Sequence, residues 1–247
     1  SIAEYLWSHL NSPQNDQFLN AWSTITNLPF IVSSSHGISF HEIYRYALLV
    51  HLWRDRKSFY IQISDLASRY FNADDLTSKV ERAYHLLLSD PEQGRILYRD
   101  LVISFQDNGL FSPWHTLNQY GLEHVHYMRI NLQDTALVWE SAGQFSSIHG
   151  KNQEAIERLS IAQTLYDQIG DLESSMRVLY SKAIYESLVG QSKESRTDLQ
   201  LAYGVALKKN NNLYAGHIMY RIAELSNFNG DPKSAYSQYK ESLERFE

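Results

Sequence analysis

Two histidine-containing stretches have spacings close to those of metal-binding motifs. The stretch HEIYR, residues 41–45, begins like the His-Glu-x-x-His helix of zinc enzymes, but Arg45 stands where the second imidazole is required. In the stretch HVH, residues 124–126, the two rings are two positions apart, and on a helix they point about 200° away from each other. We therefore predict no metal site and no cofactor.

Motifs for nucleophilic catalysis and for nucleotide binding are absent from the sequence. It has no Gly-x-Ser-x-Gly turn, no phosphate-binding loop ending in Lys-Ser or Lys-Thr, and no Gly-x-Gly-x-x-Gly. It has no cysteine, which excludes thiol nucleophiles, thiolate ligands and disulfides. The carboxylates Glu154, Glu157 and Asp198 are expected on polar helix faces, solvated or paired with bases such as Arg158 and Lys193. We therefore predict a protein that is not an enzyme.

Composition restricts the class of protein and its partners. The chain has 247 residues, of which 43% are hydrophobic, and this is enough to bury a core. Its net charge is -6 and it has no basic run, so direct binding to nucleic acid is not expected. No apolar run approaches the roughly 20 residues of a membrane span. We expect a cytoplasmic protein without membrane contact, and because Ser1 is not an initiator methionine, we expect the sequence to be part of a longer one.

Glycines recur every forty residues in the second half of the chain, at Gly150, Gly190 and Gly230. Large apolar residues stand eleven positions before and nine after each glycine, and small residues stand seven before, five after and twelve after. The large residues are Trp139, Leu179, Met219, Leu159, Leu199 and Tyr239, and the small ones are Gly143, Ala183, Ala223, Ala155, Ser195, Ala235, Ala162, Ala202 and Ser242. This pattern predicts pairs of antiparallel helices in close contact, with each glycine closing a helix in the left-handed conformation.

The order large, small, Gly, small, large, small resembles the tetratricopeptide (TPR) repeat and covers residues 134–247 as three units. The period is 40 residues instead of the usual 34 or so, so either the helices or the linkers between units are expected to be longer. The resemblance implies an all-α fold, a TPR-like α-solenoid of antiparallel helical hairpins. It also implies a non-catalytic function in protein or peptide recognition.

The N-terminal part contains the one convincing β signal. Residues 30–34 and 38–41 are short β-prone runs around a His36-Gly37 turn, and amphipathic helices are predicted over 43–53 and 57–71. Helices before a two-stranded hairpin and a helix after it look like a winged-helix module. We therefore divide the chain into a winged-helix-like module, 1–72, and a helical repeat domain, 73–247.

Three further helices are predicted between the N-terminal part and the clear repeats, over 76–89, 91–106 and 112–128. Asp90 before Pro91 and Ser112 before Pro113 have the order of an N-cap followed by proline at the first helical position. We expect these two residues to begin their helices.

The order LPFI, hairpin, FHE and helix, leading into helical repeats, resembles the end of the ATPase core of signal-transduction ATPases with numerous domains (STAND proteins). In that family a histidine at the start of the helix after the wing contacts the phosphate of bound ADP. The matching residues are Phe40, His41 and Glu42, with Phe in place of Met and Glu in place of Asp. The resemblance implies the sensor arm of a larger signalling ATPase or regulator, in which His41 senses the nucleotide.

Two alternatives remain open at this point. The chain could be a self-standing peptide-binding adaptor or a peptide-responsive regulator without an ATPase, and the oligomeric state is left open. His41 could simply begin its helix, with its ring bonded to a nearby carbonyl group.

The predicted partner-binding surface is the concave face, which the first helix of each repeat is expected to line. Its residues stand thirteen, ten, six and three positions before each glycine. They are Leu137, Glu140, Gln144 and Ser147 in the first repeat, Arg177, Tyr180, Ile184 and Ser187 in the second, and His217, Tyr220, Glu224 and Asn227 in the third. Tyr180 and Tyr220, ringed by charged residues, are expected to form an amphipathic groove for a protein or peptide. The alternative is that solvent or the protein's own tail covers this face.

Overall fold

The structure is a computed structural model that describes residues 2–10, 15–29, 31–34 and 37–246. Within these ranges it contains thirteen helices and one two-stranded sheet. The chain divides into two compact units, Ser1–Ile130 and Asn131–Glu247. The predicted module boundary at 72/73 lies inside the first unit and stays a prediction.

A strand hairpin follows the first two helices of the first unit. The elements in order are α1 (Ile2–Leu10), α2 (Asn15–Thr26), β1 (Ile31–Ser34), β2 (Gly37–Phe40), α3 (Glu42–Asp55), α4 (Lys57–Tyr70), α5 (Leu76–Ser89), α6 (Pro91–Asp107) and α7 (Phe111–His126). The strands are antiparallel, with Ile31 opposite Phe40 and Ser34 opposite Gly37, so the predicted hairpin is confirmed. His36, in the predicted turn, lies outside the described residues. The likeness to a winged helix stays a prediction.

Aspartates fix the starts of α5 and α6. The Asp75 carboxylate accepts a hydrogen bond from the Ser78 backbone N–H, and the Asp90 carboxylate accepts one from Gln93, as predicted for Asp90. The prediction for Ser112 is wrong. The chain turns at Gly109, whose φ is +65°, and the next residue, Leu110, is the N-cap of α7. Ser112 therefore already lies inside the helix.

The second unit consists of three helical hairpins. They are α8 (Leu132–Ile148) with α9 (Asn152–Ile169), α10 (Leu172–Leu188) with α11 (Ser192–Lys208), and α12 (Asn212–Phe228) with α13 (Pro232–Phe246). Each helix has 15–18 residues and only two or three residues separate consecutive helices. The forty-residue period therefore comes from long helices and not from long linkers. The predicted TPR-like α-solenoid is confirmed for this unit.

The repeated small residues are the contact points of the hairpins. At the positions five and twelve residues after each glycine, no side chain is more than 2% exposed. Where serine replaces alanine, its hydroxyl donates to a carbonyl of the facing helix, from Ser195 to Ala183 at 2.7 Å and from Ser242 to Gly216 at 2.8 Å. A small side chain at these positions lets the two helices approach closely.

The three glycines adopt the left-handed conformation that the sequence predicts. The φ angles of Gly150, Gly190 and Gly230 are +74°, +82° and +79°. Gly170 and Asn210, which separate consecutive hairpins, also have positive φ angles, of +74° and +54°. The chain thus reverses about every twenty residues. The sequence did not predict the turns between hairpins, because one has glycine, Gly170, and the other has Asn210 at the position of positive φ.

Gly190 and Gly204 give a matched test of these turns. The variant Gly190→Ala is expected to lower the free energy of unfolding by about 1–2 kcal/mol, because an L-residue resists a positive φ. Gly204 lies inside α11 with open space around its Cα. The variant Gly204→Ala is expected to raise the free energy of unfolding by about 0.5–1 kcal/mol through helix propensity. Urea unfolding followed by circular dichroism measures both, and effects of the same sign would contradict the assigned turn.

The described residues contain no helix with the length and apolar character needed to cross a membrane. In the same part of the chain, no three His, Asp or Glu side chains are grouped as metal ligands.

Candidate functional site

The first helices of the three repeats, α8, α10 and α12, are joined by side-chain contacts into one surface, which we call the A face. Arg177 on α10 binds Glu140 on α8 with two hydrogen bonds, from Nε at 2.7 Å and from Nη2 at 2.9 Å. The hydroxyl of Tyr166 on α9 donates to the same carboxylate at 2.8 Å. The contact with Glu140 raises the pKa of Arg177 against the effect of its own burial. This cluster fixes the second repeat on the first.

Aromatic contacts continue the A face between α10 and α12. The rings of Tyr180 and Tyr214 meet edge to face at 5.6 Å, and the nearby Tyr180 raises the pKa of Arg221. Tyr220 packs against Tyr239 of α13 at 5.3 Å. Tyr180 and Tyr220 are therefore held by other aromatic rings, which restricts their side chains before any partner arrives.

The predicted groove residues differ in exposure. Two of them are buried, which corrects the expectation that they meet a partner: Leu137 is packed in the core, and Glu140 is only 4% exposed because Tyr166 and Arg177 cover its carboxylate. The half-buried residues are Gln144, Ser147, Arg177, Tyr180, Ile184 and Glu224, and the exposed ones are Ser187, His217, Tyr220 and Asn227. The accessible part of the predicted surface thus lies on the second and third repeats.

The C-terminal helix covers one of these residues in part. The ring of Phe246 on α13 lies 5.0 Å from the ring of His217, at the start of α12. This agrees in part with the alternative that the protein's own tail occupies the face. Tyr220, one turn further along α12, is 45% exposed.

A cleft of about 240 Å³ opens beside the A face, between α10, α11 and α12. Its lining is mostly apolar and includes Ile184, Leu188, Leu199, Leu225 and Phe228, with Ser187 on one side. The ion pair of Arg221 and Glu224, at 2.7 Å, also lines it. Sequence reasoning missed this cleft.

A signal for the cleft was nevertheless present in the repeats. Two residues before each turn glycine stands a large apolar residue that the structure leaves exposed, namely Ile148, Leu188 and Phe228, the last at 84%. An exposed apolar column in the same register of three repeats is unusual for a solvated edge. Leu188 and Phe228 form the rim of the cleft.

Two buried carboxylates face each other between α10 and α11, Glu186 on α10 and Asp198 on α11. Lys182 Nζ is 2.7 Å from Asp198 and 3.8 Å from Glu186. Burial, and then the neighbouring Asp198, raise the pKa of Glu186 to about 7. The prediction that Asp198 lies on a polar face and is solvated or paired with Lys193 is wrong, because Asp198 is buried and pairs with Lys182. Glu154 pairs with Arg158, as predicted. The ion pair of Lys182 with Asp198 links α10 to α11.

The two histidine stretches lie in the first unit, at the start of α3 and at the end of α7. Arg45 binds Glu123 at 2.6 Å, and the exposed His41 begins α3 without a side-chain capping bond. The ring of His41 lies edge-on against the ring of Tyr44, 6.4 Å away. Phe40 ends β2 and Glu42 begins α3, and their side chains lie outside the described part of the structure.

The two rings of the HVH stretch point apart, as predicted. His126 is exposed, whereas His124 is fully buried, with Nε2 3.0 Å from the carbonyl oxygen of Tyr84 and its ring stacked on Tyr84 at 4.2 Å. Burial lowers the pKa of His124 to about 3. This histidine is a neutral core residue.

Three solved structures are similar to this chain. BtubC (BKLC) from P. vanneervenii aligns with a TM-score of 0.57 and 14% identity, over 69% of this chain and 70% of that one. MamA aligns with a TM-score of 0.51 and 13% identity, over 69% of this chain and 88% of that one. A protein from Podosopora anserina with nearly identical TPR-like repeats aligns with a TM-score of 0.46 and 13% identity, over 81% and 94%.

At these identities the first two likenesses show the fold alone, an α-solenoid of TPR-like repeats. No protein-family model matches the sequence, and a comparison with curated proteins finds no match.

Proposed function

We propose that the second unit is a non-catalytic recognition scaffold that binds a protein or peptide through its A face. The observation that carries this proposal is the pair Tyr180 and Tyr220, which stand one repeat apart and are held in place by Tyr214 and Tyr239. Tyrosine offers a large apolar ring with a polar end, and restrained rings lose little conformational entropy on binding. Repeat solenoids commonly use such surfaces for recognition.

The charges around the tyrosines agree with a partner of mixed charge. Arg177 is partly accessible beside its buried partner, and Arg221 and Glu224 form an ion pair at the edge of the face. A peptide or helix that carries both an apolar residue and charged residues is complementary to this surface.

The double variant Tyr180→Ala/Tyr220→Ala tests the proposal. Partners are first captured from a native lysate with the full 247-residue chain, and the affinity of an identified partner is then measured by calorimetry. Loss of both rings is expected to weaken binding by about 2 kcal/mol or more, roughly thirtyfold in Kd.

The matched control removes two exposed side chains from the second helices, Leu201 on α11 and Tyr236 on α13. The variant Leu201→Ala/Tyr236→Ala is expected to bind as the parent chain does. If the control weakens binding and the A-face variant does not, the binding surface lies on the second helices.

A finer proposal is that the chain is the sensor arm of a STAND-type signalling ATPase or regulator. It is motivated by the hairpin of β1 and β2 followed directly by α3, with His41 at the start of that helix. The reading frame upstream of Ser1 tests it. A phosphate-binding loop there supports the sensor arm, whereas a frame without one favours the self-standing peptide-binding adaptor.

A further inference from the structure

The cleft between α10, α11 and α12 has an equivalent position one repeat earlier, and Tyr185 stands there. A shift of forty residues relates Leu225 in the cleft to Tyr185, Ser187 to Ser147, and Leu199 to Leu159. Tyr185 packs against the core cluster that contains Leu159, and its hydroxyl lies near the side chain of Ser147. Burial raises the pKa of the Tyr185 hydroxyl, whereas Ser147 lowers it with a smaller effect.

In the third repeat the corresponding ring is missing while its surroundings are kept. Leu225 is shorter than tyrosine, and it lines the cleft together with Leu199, which is apolar, and Ser187, which carries a hydroxyl. Leu188 and Phe228 extend the apolar surface outward at the rim. The cleft of about 240 Å³ is thus built like the Tyr185 site without the tyrosine.

The charges of the cleft favour a neutral occupant. Arg221 and Glu224 lie 2.7 Å apart and compensate each other, so the lining has no net charge to attract an ion. An aromatic side chain with a neutral hydroxyl matches both the apolar lining and Ser187.

We propose that this cleft binds a tyrosine side chain of the partner, in the manner in which the preceding repeat holds Tyr185. The ring lies on Leu199 and Leu225, and the hydroxyl meets Ser187. This inference rests on the proposed function, because Ile184 and Glu224 belong both to the cleft and to the A face. It names the chemistry of one anchoring residue: an unmodified tyrosine in a peptide or protein.

The first test uses p-cresol, which has the ring and hydroxyl of a tyrosine side chain, and the ¹⁵N-labelled full chain. Titration is expected to shift the amide signals of Ser187, Leu188, Leu225 and Phe228 with saturation in the millimolar range. Toluene, which lacks the hydroxyl, is expected to bind about threefold to tenfold more weakly. In the variant Ser187→Ala this difference is expected to disappear.

The second test fills the cleft from within. The variant Leu225→Tyr restores the residue of the preceding repeat, so it is expected to abolish the p-cresol shifts and to raise the Tm by about 3 °C or more. The control Leu213→Tyr makes the same change at an exposed position at the start of α12 and is expected to leave both unchanged.

Two results would overturn the inference. One is the absence of p-cresol shifts at the cleft, and the other is p-cresol binding that persists in Leu225→Tyr. Neither p-cresol measurement involves the partner. A negative p-cresol result would therefore overturn only this inference, and a negative result with Tyr180→Ala/Tyr220→Ala would overturn only the proposed binding surface.

Discussion

The variant Glu140→Ala is expected to lower the free energy of unfolding of the second unit by about 2–4 kcal/mol. The carboxylate accepts two hydrogen bonds from Arg177 and one from Tyr166, and it is almost fully buried. Its removal leaves a largely buried guanidinium and a buried hydroxyl without their partner, which costs more than the loss of the contact itself. Urea unfolding at neutral pH measures the effect.

An exposed ion pair on the same unit serves as the control. Arg221 and Glu224 are about 40% exposed in their side chains, so Glu224→Ala is expected to cost less than about 1 kcal/mol. The double variant Glu140→Ala/Arg177→Leu is expected to recover part of the loss, because it no longer buries an unpaired charge. If Glu140→Ala costs no more than Glu224→Ala, the cluster does not join the repeats.

The first unit is expected to lose stability when the pH falls from 7 to 5, by about 2 kcal/mol through His124 alone. Burial holds the pKa of His124 at about 3 in the folded protein, against 6.5 for an ordinary histidine. As the pH falls below 6.5, His124 therefore binds a proton in the unfolded chain but stays unprotonated in the folded chain, which favours unfolding. His85, whose pKa burial lowers to about 4, adds to the same trend.

The charged neighbours of His124 do not reverse this direction. Arg129 lowers its pKa further, whereas Glu123 opposes the shift with a smaller effect. The pKa of Glu123 is itself lowered by Arg45 and Tyr84 in spite of burial, so its contribution is lost only at still lower pH. In the second unit, Glu186 acts in the opposite sense: its pKa of about 7 means that its contribution is lost as the pH rises.

The variant His124→Gln measures the histidine contribution directly. Glutamine can still donate a hydrogen bond to Tyr84 but takes up no proton, so the loss of stability between pH 7 and pH 5 is expected to shrink by about 2 kcal/mol. Hydrogen exchange in α7 reports the opening free energy of this unit at each pH. The exposed neighbour His126 provides the control His126→Gln, and an equal change of slope in both variants would contradict a role of burial.

The repeat could be predicted from sequence because small residues at fixed distances from each glycine have one simple use, close helix contact. Ala155, Ala162 and Ala202 are all fully buried at those contacts. The burial of Glu140 could not be predicted from the column alone. It depends on Tyr166 and Arg177, which come from the following helix and the following repeat, and a glutamate on a first helix otherwise belongs at the surface.

The repeat columns do not predict the cleft, because they are defined by residues that recur. The cleft includes a position where the repeats differ, which is Tyr185 in the second repeat and Leu225 in the third. The spacing of the HVH stretch predicts only that the two rings point apart, and it carries no signal for the contact of His124 with Tyr84. The burial of His124 depends on the packing of α5 against α7, which the weak pattern of this region did not specify.

Deuterium uptake of the full chain, with and without an identified partner, tests the recognition surface most directly. Binding at the A face predicts slower exchange in α10 and α12, centred on Tyr180 and Tyr220, with little change along the outer faces of α11 and α13. Protection confined to α11 and α13, with unchanged exchange in α10 and α12, would contradict recognition through the A face.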